Sequence, residues 1–88
     1  MLVVYGIEAC PNCVEAKERL NREHVSFEYR EIGSSVAWLK AFVNLREGNA
    51  HFDDAREHNY IGIPYFVFED GYQTMDISEA LAKVKEYG

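Results

Sequence analysis

The chain opens on an unbroken apolar run, Leu2-Val3-Val4-Tyr5, that stops at Gly6. A short apolar run bounded by glycine predicts a strand buried on both faces. A helical period follows, from about Pro11 to Glu23. Val14, Ala16, Leu20 and contacts from the Ala9 side supply the inward stripe, while Glu15, Lys17, Glu18, Arg19 and Arg22 face water. Val25 to Ile32 then switches to period two. Val25, Phe27 and Tyr29 alternate with Ser26, Glu28 and Arg30, the pattern of a half-buried strand. Gly33-Ser34-Ser35 ends that strand and offers N-caps to a helix over Val36 to Glu47. Its broad apolar face, Val36, Trp38, Leu39, Phe42, Val43 and Leu45, is expected to be core. Gly48-Asn49 stops it, and a shorter helix runs over about Phe52 to His58. Tyr60-Ile61-Gly62-Ile63-Pro64 is an irregular approach to a third strand, Tyr65 to Phe68. Glu69-Asp70-Gly71 signals a hairpin turn into a return strand, Tyr72 to Met75. Asp76 with Glu79 forms a capping-box pattern ahead of a last helix, Ile77 to Tyr87.

The order is βαβ, then helices, then ββα. The first two strands are expected to run parallel through a right-handed crossover and the last two to form an antiparallel hairpin. The expected class is α/β, a four-stranded mixed sheet with flanking helices. With no repeat, linker or low-complexity run, residues 1–88 read as one small domain.

Charge narrows the partners. The chain carries a formal charge of -6, with no basic patch to meet phosphates or an anionic lipid surface. That argues against nucleic acid and membrane. No positive leader segment and no long apolar stretch is present, so the expected location is cytoplasmic. A cysteine pair in a reducing compartment is expected to be catalytic rather than a structural disulfide.

The chemistry sits at Cys10-Pro11-Asn12-Cys13, which holds the chain's two cysteines at a strand-to-helix junction. The attacking species in disulfide exchange is a thiolate, and a helix N-terminus stabilises an anion through its unpaired N–H groups and dipole. Pro11 suits the first helical turn, where its missing N–H removes nothing. Cys13, one turn in and more buried, is placed to attack a mixed disulfide on Cys10 and release the substrate. Zinc is disfavoured by ligand count: no third cysteine exists, and His24, His51 and His58 lack the usual spacing. Cys-x-x-Cys also closes too short a loop to stabilise a fold by entropy. Lys17, one turn beyond Cys13, reads as part of the solvated face, and the three histidines as exposed or capping residues.

With these residues in view, the chain resembles the glutaredoxin family over nearly its whole length. The resemblance rests on Cys10-Pro11-Asn12-Cys13 after the first strand, Val25-Ser26-Phe27 opening the second, and Ile63-Pro64 opening the third. It implies a thioredoxin-like fold, Cys10 as nucleophile and Cys13 as resolving thiol. It also implies a cis Ile63–Pro64 bond beside the cysteines. Pro11, Asn12, Ile63 and Pro64 would border the substrate, with the Ile63 backbone open to an extended peptide in the manner of an added strand. No bound cofactor is implied; glutathione is the candidate co-substrate, and the protein is expected to be a monomer. The expected activity is reduction of protein or glutathione-mixed disulfides.

The departures concern glutathione. Asn12 replaces the family's usual tyrosine, and Gly62-Ile63-Pro64 stands where Thr-Val-Pro is usual. Ile7 and Glu8 occupy the place of a basic residue before the first cysteine, and Tyr60 that of a basic residue before the proline segment. Tyr72-Gln73-Thr74-Met75 lacks the family's Gly-Gly pair. Asp76 stands near the family's acidic glutathione contact, though a capping role explains it equally well. The segment holding Trp38 is longer than usual. These departures suit a divergent branch and keep three alternatives open. One is an electron donor reset by a thioredoxin-reductase-like flavoprotein. Another is a binding module without turnover, using its acidic surface and the Trp38 and Phe42 face. The third, an iron–sulfur carrier bridged by glutathione, needs the contacts this chain lacks.

Overall fold

The computed structural model describes residues 2–87. Its elements are β1 (Leu2–Gly6), α1 (Pro11–Arg22), β2 (Phe27–Glu31), α2 (Val36–Arg46), α3 (Asp53–Glu57), β3 (Tyr65–Val67), β4 (Gln73–Thr74) and α4 (Ile77–Tyr87). A single 3-10 turn, Ala50–Phe52, leads into α3. The strands form one open mixed sheet in the order β2-β1-β3-β4. β1 pairs parallel to β2 and antiparallel to β3, and β3 pairs antiparallel to β4. The expected α/β class and mixed four-stranded sheet are therefore present. No helix among the described residues is long and apolar enough to cross a membrane.

Strand alternation sends side chains to two separate cores. On one face Val4 and Phe66, partners across β1 and β3, join Leu2 and Phe68 with Ala16 and Leu20 of α1 and Ala80 and Leu81 of α4. On the other, Tyr5 and Tyr65 join Ile32, Phe42 of α2, Phe52 and Ala55 of α3. Phe52 is the centre of that second layer: its ring lies 4.5 Å from Tyr65 and 5.7 Å from Phe42, the latter edge-on. Such pairs add to burial because ring edges meet ring faces.

Here one expectation fails. α2 buries Phe42 fully and Leu45 in part, but Val36, Leu39 and Val43 are exposed and Trp38 is 37% exposed. The reason is competition for area. Phe52 and Ala55 already cover the sheet where the far side of α2 was expected to sit. Trp38 finds its partner elsewhere, under the Arg30 guanidinium at 4.3 Å, which also donates to the Tyr5 hydroxyl at 2.7 Å.

Helix ends explain how the chain is steered. α2 starts on Ser35, whose hydroxyl accepts from the Trp38 amide at 3.3 Å. Two helices end in the same device without glycine. After α1, His24 adopts φ 57°, its N–H reaches Asn21 O, and Val25 N–H reaches Leu20 O at 3.0 Å. After α3, Asn59 adopts φ 61°, its N–H reaches Arg56 O, and Tyr60 N–H reaches Ala55 O at 2.7 Å. Both are Schellman motifs, which satisfy carbonyls left open by the last turn. The first occupies Val25, so β2 begins at Phe27 rather than Val25. The capping box before α4 is also altered. Asp76 accepts from the Ser78 and Glu79 amides at 2.7 and 3.4 Å, but the Glu79 carboxylate accepts from Thr74 Oγ1 instead of the Asp76 amide. Thr74 Oγ1 takes that amide itself, at 3.0 Å.

Candidate functional site

β1 runs out at Gly6 directly beneath the turn that carries Cys10. A Cβ on Gly6 would stand 3.0 Å from Cys13 Sγ and 2.5 Å from the Tyr29 hydroxyl, so the strand end must be bare for both to approach. The loop above it is held from the side. The Glu31 carboxylate accepts from the Glu8 amide at one oxygen and the Gly33 amide at the other. The Cys10 amide bonds Ile7 O at 2.9 Å, and Cys10 O accepts from the Cys13 and Val14 amides at 3.1 Å each. Cys10 is thus the N-cap of α1, with extended backbone and no side-chain capping bond, and Pro11 opens the helix. The sulfur of Cys10 is left free of a capping role at the helix end most favourable to an anion.

The two cysteines are free thiols in unlike surroundings: Cys10 is half-buried and Cys13 fully buried. Burial pushes the Cys13 thiol up from 9.0 to about 11, and its neighbour Cys10 adds to the rise, against the pull of the Ile7 backbone and, once the sulfur is charged, of the Tyr29 hydroxyl. A folded Cys13 therefore keeps its proton through a range in which an unfolded cysteine loses it. The unfolded state binds fewer protons there, so stability is full below pH 9 and falls as pH rises toward 11. We expect the reduced protein to lose about 2 kcal/mol more across that window than Cys13→Ala, whose remaining slope comes from the tyrosines Tyr29 and Tyr65. Urea midpoints at pH 8 and pH 11 for both reduced proteins measure it.

Cys10 opens onto a groove of about 730 Å³. One wall is Ile7, Ala9 and Asn12; the other is Tyr60, Ile61, Gly62 and Ile63, with Met75, Ala55, Asn59 and Asp54 completing it. The Ile63–Pro64 bond is cis, as expected, and Pro64 is buried. Of the sequence-derived site residues, the structure brings Cys10, Asn12 and Ile63 into this groove. Cys13 lies behind it, and Pro11 stands exposed on the first helical turn. Among the described residues, Asp54 is the lone charged side chain lining it.

The far wall is fastened by the long segment before it. The Schellman turn at Asn59 redirects the chain, and Arg46 of α2 donates to Tyr60 O at 2.9 Å and Ile61 O at 3.1 Å. Arg56 in turn donates to Arg46 O and Asn49 O. The extra helix around Trp38 thus anchors the strand approach that faces Cys10. Glu8, which with Ile7 occupies the place of a basic residue in the resembled family, is ion-paired with Lys17. Lys17 also lies 4.2 Å from the Tyr29 ring centre, so it is tied into the site's flank instead of being free in water. Asp76 stays a helix cap and does not line the groove. His58 stacks on Tyr60 and pairs with Asp54 at 3.1 Å. Asp54, Glu57 and His58 form an exposed three-residue cluster that involves neither cysteine.

Sequence reasoning missed Tyr29, Glu31, Arg46 and the Tyr60–Ile61 wall. The parallel register that sets Val4 beside Tyr29 and Gly6 beside Glu31 would have pointed to the first two. A bare glycine closing a buried strand was the available signal.

No family model and no solved structure matches the chain. An uncharacterized protein of Haemophilus influenzae is 31% identical over 77 residues, covering 88% of this chain and 90% of its own. The chain belongs to the family of that protein.

Proposed function

We propose that the protein is a thiol-disulfide oxidoreductase, with a thioredoxin-like fold related to that of glutaredoxins. The observation that carries the reading is the asymmetry of its two thiols: Cys10 opens on a groove at the N-terminus of α1, and Cys13 is buried one turn behind. The Cys10 thiolate attacks one sulfur of a substrate disulfide. The S–S bond breaks, one substrate half leaves as a thiolate that takes up a proton, and the other stays bonded to Cys10. Cys13, as thiolate, then attacks Cys10 Sγ and expels the second half. Two electrons have passed from the dithiol to the substrate, and Cys10 and Cys13 are joined by a disulfide. Ile63 supports the reading as a backbone edge for an extended substrate, since it forms no backbone hydrogen bond to the described residues.

The groove also bears on what resets the protein. Glutathione carries two carboxylates, while the lining offers Asp54 and no lysine or arginine. The neighbouring cations are engaged, Lys17 with Glu8 and Arg46 with two carbonyls. This favours a flavoprotein reductase over glutathione as electron source, with neutral or basic protein segments as substrates in a reducing cytoplasm. The test is to oxidise the protein and follow loss of its disulfide with glutathione alone and with NADPH plus thioredoxin reductase. Faster resetting by the flavoprotein is expected. Faster resetting by glutathione would reverse the assignment of the reductant, and resetting by neither would argue for a binding module.

A further inference from the structure

The Tyr29 hydroxyl is buried and has no hydrogen-bond partner among the described residues. Its position is specific. Tyr29 rises from β2 toward the bare end of β1, where it and Cys13 Sγ border the same gap beside Gly6. The ring is fixed by packing against the first core and by the Lys17 ammonium over its face. An unpartnered buried hydroxyl is unfavourable in a resting protein and calls for an explanation. The resolving step supplies one, because a thiolate must then appear on Cys13, in a buried place.

We propose that the Tyr29 hydroxyl is a positioning residue for resolution: its O–H donates a hydrogen bond to the Cys13 thiolate as that anion forms. This deepens the proposed dithiol chemistry and rests on it. Tyr29 is a donor and not a base. Burial, and the charge that Cys13 would bring, hold its own proton well above the ordinary tyrosine range, so it stays an O–H wherever the enzyme works. The proton released by Cys13 passes to solvent and is balanced by the one taken up by the departing substrate thiolate. The other groups facing this sulfur are Cys10 and the Ile7 backbone, with Glu8 and Glu31 beyond Tyr29. Lys17 neutralises the first of these carboxylates, and backbone amides engage the second.

The test is Tyr29→Phe, which keeps the ring and removes only the oxygen. Cys13 titration is read from its 13Cβ shift in cysteine-labelled reduced protein. Resolution is read by quenching and mass spectrometry, as decay of a peptide mixed disulfide preformed on Cys10. A hydrogen bond to an anion shifts a pKa by about one to two units, and thiolate nucleophilicity recovers roughly half of that. The variant is therefore expected to titrate Cys13 higher and to resolve about three- to tenfold more slowly at neutral pH. It is also expected to melt at the same or a higher temperature, because no resting bond is lost. A slower variant that melts lower without a shift in Cys13 would mark a structural role and overturn the proposal. Unchanged titration with unchanged resolution overturns it as well. A shifted Cys13 in a protein whose Cys10 never forms a mixed disulfide would sink the oxidoreductase reading instead.

Discussion

Replacing Cys10 with serine is expected to take disulfide reduction down to the uncatalysed background, and replacing Cys13 is expected to stop it half-way. The two failures differ because the two sulfurs differ in place. A serine at the α1 N-cap leaves a hydroxyl, which at neutral pH is a far weaker nucleophile than a thiolate, so no mixed disulfide forms. Cys13→Ser leaves Cys10 exposed to the groove, and the first exchange proceeds. The product is then a protein with one substrate half attached, visible as a mass increase by intact mass spectrometry. It turns over only if an external thiol releases it, so reduction of a protein disulfide is lost and monothiol exchange with a glutathione mixed disulfide is the activity that survives. Full activity in Cys10→Ser would remove the basis for the proposed function. A Cys13→Ser protein that accumulates no adduct would mean that Cys13, not Cys10, makes the first attack.

The second large effect is expected at Gly62. This glycine has φ +96°, where an L side chain is strained, and a Cβ there would stand 2.6 Å from Phe52 Cε1 and 2.7 Å from Cδ1. Phe52 is fully buried against Tyr65 and Phe42 and has nowhere to move. Backbone strain and overpacking act together, so Gly62→Ala is expected to cost about 3 kcal/mol, on the order of 15 °C in melting temperature for a domain this small. Gly71→Ala is the matched control. Its φ of +92° is similar, but nothing lies within 4 Å of the added carbon, so it carries the strain without the clash. Thermal melts of the two variants separate these contributions. If both fall equally, the Phe52 contact has no energetic weight and the packing account is wrong. The Gly62 variant is also expected to disturb Ile61 and Ile63, weakening substrate reduction while simple alkylation of Cys10 continues.

These two sites differ in how openly the chain announces them. Cys10-Pro11-Asn12-Cys13 is local: one strand ending, one helix beginning and two sulfurs between them can be read from neighbouring residues. So can most of the elements, because the change of period at Val25 and the turn at Glu69-Asp70-Gly71 are written within a few positions. The groove wall is not local. It depends on Asn59 turning left-handed, on Arg46 reaching fourteen residues ahead to Tyr60 O, and on Phe52 claiming the sheet that α2 was expected to cover. Periodicity identifies an apolar face but not how much sheet remains for it, which is why Leu39 and Val43 read as core and stand in solvent. Tyr29 was legible as an inward residue of a half-buried strand. Its hydroxyl became a candidate for the proposed role only when the parallel register set β2 beside the glycine that ends β1.

The sheet with its two separate cores has a consequence for how such a protein can change. Tyr29 packs on the α1 and α4 side, while Ile7, Ala55, Ile63 and Met75 of the groove belong to the α2 and α3 side. Under the proposed function, the surroundings of the Cys13 sulfur and the shape of the groove would therefore be set largely by different residues on opposite faces of the sheet, with Cys10 and Ile7 common to both. On that reading, substitutions beneath the groove, away from Cys10 and Ile7, would reshape it and leave the setting of Cys13 unchanged. Substitutions beneath α1 would do the reverse, altering the setting of Cys13 and sparing the groove.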